Sequence, residues 1–125
     1  MQLTFKSLLF VSILVAVNPV GSKAGEADVL KVSVVETAAG IYSFHVTVRH
    51  DDTGWKHYAN GWEVLDLDDN ILGKRVLLHP HVNEQPFKRS LSGVKIPKSI
   101  VKVVVRAHDL VHGLGGSVKT VMLPR

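Results

Sequence analysis

Residues 50–93 read HDDTGWKHYANGWEVLDLDDNILGKRVLLHPHVNEQPFKRSLSG, from His50 to Gly93, and this stretch decides the fold. Trp62 to Leu67 is predicted as a strand, which reverses at Asp68-Asp69-Asn70, a turn of the Asx type. Ile71 to Leu78 returns as its partner and stops at His79-Pro80-His81, because proline cannot donate to a strand ladder. Asn83 to Pro86 continue the loop, and Phe87 to Leu91 is a further short strand. Ahead of Trp62, the segment from His50 through Trp55, His57, Tyr58 and Asn60-Gly61 is long for a connection between strands, and long loops tend to carry function.

The flanks repeat the period of two. Upstream, Leu30, Val32 and Val34 are expected on one face of a first strand with Lys31 and Ser33 on the other. After the turn Thr37 to Gly40, Tyr42, Phe44, Val46 and Val48 alternate with Ser43, His45, Thr47 and Arg49. Downstream, Ile100 to His108 sets Val101, Val103, Val105 and Ala107 on one face. Asp109 to Gly116 is a glycine-rich loop, and Ser117 to Leu123 closes the series. Outside the N-terminus no apolar stripe has the 3.6-residue spacing of a helix, so the body is expected to be all-β with about seven strands.

Strand lengths, turn spacing and a tryptophan on the third strand resemble an immunoglobulin-like or fibronectin type III-like sandwich over Asp28 to Leu123. Val105 to Gly116 is similar to the sixth strand and following loop of fibronectin-type modules. The resemblance is one of architecture. It implies a single antiparallel β-sandwich domain, residues 25–125, acting as a binding or structural unit.

Met1 to Ala24 has the form of a cleavable signal peptide. Lys6 precedes the apolar run Leu8 to Val17, and Asn18-Pro19 and Ser22-Lys23-Ala24 supply the break and the small-x-small cut before Gly25. The run is too short to span a bilayer, so no membrane span is expected after cleavage. Export to a periplasm or the medium follows. The sequence has no cysteine, which removes disulfide scaffolds, thiolate catalysis, cysteine-ligated metal centres and a lipid-bearing lipobox. Losing Lys6 and Lys23 with the leader takes the formal charge from +4 to +2, too balanced for a nucleic-acid footprint.

Alternate connections of an antiparallel sandwich return to the same end. That parity would gather His50 and His57, His79 and His81, and His108 and His112 at one end, as candidate ligands for Zn(II) or Cu(II). Asp51, Asp52, Trp55, Tyr58, Glu84 and Asp109 would supply orienting groups or a surface for a protein partner. Cu(I) is disfavoured, since Met122 is the single soft side chain beyond the leader. The competing reading has these imidazoles bonding loop carbonyls and carboxylates with no ion. No catalytic residue is assigned. His108-Asp109 beside hydroxyls is the one raw material for a small metal-dependent hydrolase, and adjacent strand residues point to opposite faces. The chain is therefore expected to be an exported, non-enzymatic binding module; a purely structural accessory domain is the alternative.

Overall fold

A computed structural model describes residues 25–125; the expected leader, residues 1–24, lies outside them. Seven strands follow one another: β1 (Asp28–Ala38), β2 (Ile41–Arg49), β3 (Ala59–Leu65), β4 (Ile71–Val76), β5 (Phe87–Lys95), β6 (Lys102–Asp109) and β7 (Lys119–Met122). They form two antiparallel sheets, of order β1-β2-β5 and β4-β3-β6-β7. No helix occurs among the described residues. Two layers with one apolar face each bury those faces against each other, which is the sandwich solution.

The alternation of β2 delivers the core of the smaller sheet. Tyr42, Phe44, Val46 and Val48 are all fully buried, and they meet Trp62 and Val64 of β3 and Val103, Val105 and Ala107 of β6 in one cluster. Trp62 stands on the inner strand β3, paired across to Arg75 of β4 and Ala107 of β6. With its indole fully buried, it is the largest single contribution to the core, on the order of 2–3 kcal/mol of transfer free energy or more.

Three local expectations need correction. Leu30 does not share the inward face of Val32 and Val34; a register shift between Val29 and Lys31 puts Val29 in the core and leaves Leu30 41 % exposed. A bulge adds one residue, and with a period of two that reverses the face. Val101 precedes β6 rather than joining it and is exposed. The fifth strand runs on to Lys95, because β2 continues to pair with it as far as Ile41↔Lys95.

Gly116 and Ser117 fix how the N-terminal segment lies. A Cβ on Gly116 would sit 1.9 Å from the backbone oxygen of Ala27, so the β6–β7 loop passes against the chain entering β1 at a distance only glycine permits. Ser117 seals the crossing: its carbonyl accepts from the Val29 N–H at 2.8 Å, and its N–H donates to Asp28 Oδ1 at 2.7 Å. Residues Gly25 to Ala27 are thereby laid against the end of the sandwich where β2 leaves and β6 ends.

Candidate metal centre

The β2–β3 connection begins at His50, one residue beyond β2, and its side chain is wholly buried. Asp52 lies two residues on, also wholly buried, and its Oδ1 accepts from Nδ1 of His50 at 2.5 Å. The same carboxylate accepts the Ala59 N–H at 2.9 Å through Oδ1 and the His81 N–H at 2.7 Å through Oδ2. Asp52 thus ties the start of β3 and the β4–β5 loop to one imidazole. Gln85 adds a second tie, accepting from the His50 N–H and donating to the His81 carbonyl, both at 3.0 Å.

The proton count at this point is informative. In its neutral form the His50 imidazole carries one ring proton; placed on Nδ1 against Asp52 Oδ1, it leaves Nε2 presenting a lone pair. Facing that lone pair are Nε2 of His57 at 3.2 Å, the Gly25 carbonyl oxygen at 3.1 Å and Asp109 Oδ2 at 3.8 Å. His57 Nε2 is in turn 3.3 Å from the Gly25 oxygen and 3.3 Å from Asp109 Oδ1. Its one proton can satisfy one of these acceptors. Asp109 Oδ1 already receives the N–H groups of Val111 and His112, at 2.8 and 2.7 Å; Oδ2 is buried and has no partner.

His50, His57 and Asp109 offer ligand atoms that all lie within 4.8 Å of one another. Burial pushes the Asp109 carboxyl upward, but the backbone N–H groups of His112 and Val111 pull it the other way, and the net direction is below the ordinary carboxylate value. Asp109 is therefore an anion at neutral pH, in a buried pocket with more lone pairs than protons. Such a pocket fits a divalent cation of the borderline class, bound by imidazole nitrogen and carboxylate oxygen. Were an ion held there, Asp52 would be the carboxylate that orients the His50 ligand.

The remaining residues singled out in the sequence are placed as follows. His112 is at the rim, with Nδ1 3.2 Å from Asp109 Oδ1 and its ring 5.0 Å from that of His57. His81 is buried but stacks on Phe87 at 4.0 Å, and its Nε2 lies 2.9 Å from the Arg89 guanidinium. It belongs to the support, not to the converging set. Burial, reinforced by Arg89, holds the His81 ring below the ordinary imidazole value. His79 is exposed against His81, with ring centroids 4.7 Å apart, so the His79-x-His81 pair does not supply the centre.

His108 is also elsewhere. Its Nδ1 lies 2.7 Å from Asn60 Oδ1, its ring covers Gly61, and burial holds its value down. The strand alternation that buries Asp109 turns His108 to the other side. Glu84 pairs with Arg89 at 3.2 Å, Asp51 is exposed, and Trp55 packs edge-on to Tyr58 at 5.7 Å while remaining 66 % exposed. Asp109, expected as an orienting group, stands among the ligand atoms themselves. Gly25 and Gln85 were not singled out in the sequence, since a backbone carbonyl and an amide tie leave no residue-type signal.

No protein-family model matches the chain, and no solved structure matches it. A protein of Halomicrobium mukohataei named "Putative lipoprotein" is 41 % identical over 96 residues, covering 77 % of this chain and 47 % of the relative. The chain thus spans about half the length of that relative.

Proposed function

We propose that this chain is an exported binding module of the immunoglobulin-like or fibronectin type III-like kind, and that it holds a divalent metal, Zn(II) or Cu(II), through His50, His57 and Asp109. The observation that carries the metal reading is the buried, unpartnered Asp109 Oδ2 facing Nε2 of His50, whose other ring nitrogen is held by Asp52 Oδ1. A cation supplies what the surplus of lone pairs lacks, and burial strengthens the attraction. The three-plus-four division of strands, with β3 and β6 inside the larger sheet, supports the sandwich kinship. Export is supported by the form of residues 1–24 and by the relative's name. These 125 residues contain no cysteine, so a thioether-linked lipid has no attachment point within them.

The test is calorimetric titration of Zn(II) and Cu(II) into the purified protein, with metal analysis of the protein as isolated. Stoichiometric binding, lost in His50→Ala and Asp109→Asn, is the expected result, together with a thermal shift equivalent to about 2.7 kcal/mol at 100 times the Kd. Equal weak heats for the parent and both variants would remove the metal reading.

A protein partner at the same end is favoured by one separate observation. Trp55, Leu110 and Val111 are all large, apolar and exposed beside the cluster, and exposed tryptophan is characteristic of contact surfaces. Loss of a pulled-down partner on Trp55→Ala, with metal binding intact, would assign that role to the rim.

A further inference from the structure

Three independent features meet at Gly25. Its carbonyl oxygen faces both Nε2 atoms, at 3.1 Å from His50 and 3.3 Å from His57. Its α-carbon lies under the His112 ring, where a Cβ would come within 2.7 Å of Cε1 and 2.8 Å of Nε2. The segment that carries it is clamped by the Gly116–Ala27 crossing and the Ser117 bonds to Asp28 and Val29. Gly25 is also the residue that follows the small-x-small cut at Ala24. An amide nitrogen in an uncut chain is a poor ligand, having no free lone pair; a terminal amine has one.

We propose that cleavage after Ala24 completes the metal centre by converting Gly25 into a ligand, its α-amine and carbonyl oxygen closing a five-membered chelate ring on the ion held by His50, His57 and Asp109. This rests on the metal reading above. The amine is joined to the carbonyl carbon through one α-carbon, so an ion that reaches the oxygen is within reach of the nitrogen. The donor set becomes one amine, two imidazoles and carboxylate or carbonyl oxygen. Nitrogen-rich mixed N,O sets of this kind suit Cu(II) in tetragonal geometry, and Cu(II) also heads the affinity order. Cu(II) is therefore the ion assigned to the processed protein. A side chain at this position would have to displace the His112 ring.

The experiment uses the full chain exported from its own leader, with the N-terminus read by intact mass. A second version carries Glu-Gln inserted between Ala24 and Gly25, which adds no further small-x-small site, leaves the leader and cut in place and moves the amine two residues away. Competition titration with Cu(II) is expected to show binding at least about tenfold weaker in the inserted version, the loss that even an outer-shell partner produces. Urea midpoints measured without metal check that both versions are folded. Independently of any variant, growth on 15N-glycine is expected to alter the nitrogen hyperfine pattern of the Cu(II) electron paramagnetic resonance spectrum. Equal Cu(II) affinities in folded versions, an unchanged 15N spectrum, or a mature mass that does not begin at Gly25 would each overturn the role of Gly25 and leave His50, His57 and Asp109 in place. Absence of Cu(II) binding in every version would overturn both.

Discussion

Asp52 Oδ1 stands 2.5 Å from Nδ1 of His50, with both side chains wholly buried. Since Asp52 also accepts backbone N–H groups from Ala59 and His81, one carboxylate both closes the loops of this end and selects which nitrogen of His50 is left open.

Asp52→Ala should therefore do two things at once. It leaves two buried backbone donors unpaired, costing about 2–4 kcal/mol in urea unfolding. It also frees the His50 ring, lowering Zn(II) or Cu(II) affinity by about 10–100-fold in calorimetry. Unchanged affinity in a folded variant would show that His50 is oriented by its packing alone.

Trp62→Ala is expected to lower stability by about 3–5 kcal/mol, measured by denaturant unfolding. Trp62 Nε1 is buried with no hydrogen-bond partner, so Trp62→Phe gives up no bond and should cost clearly less. Emission of the parent protein should contain a blue component from Trp62 and a red one from the 66 % exposed Trp55. Trp55→Phe should remove only the red one.

Gly116→Ala forces a Cβ into the Ala27 carbonyl oxygen. Backbone meets backbone there, so no rotamer relieves the overlap and the β6–β7 loop must lift from the β1 entry. A loss of about 1–3 kcal/mol or more follows, read as a fall in Tm. Gly113→Ala, where a Cβ meets nothing within 4 Å, faces only the cost of its positive φ of 67°.

Acid should weaken the fold through His81. Burial and the Arg89 charge hold its folded-state value below the ordinary imidazole value, so the folded protein binds fewer protons than the unfolded chain between those two values. This contribution is complete above about pH 6.5 and is lost as pH falls from there through the folded-state value. Urea midpoints measured downward from pH 7.5 should fall in that window. His81→Gln should flatten the dependence; an unaltered slope would assign it to other groups.

The β-class, the strand count and the burial of Tyr42, Phe44, Val46, Val48 and Trp62 were legible in the sequence. Alternation with period two records directly which residues share a face, and proline and Asx turns mark where a strand must stop. A bulge leaves no such record, and so Leu30 and Val29 exchange faces only when β1 pairs with β2.

The histidine-rich loops were equally legible as a set of residue types, but their division was not. His108 and Asp109 are neighbours in the chain and part company because successive strand residues face opposite sides. His81 is held by Phe87 and Arg89, residues that reach it only across the β4–β5 loop. His50 and His57, Asp109 and the Gly25 carbonyl come from three separate chain segments, and only the packing of those segments at one end of the sandwich brings them together.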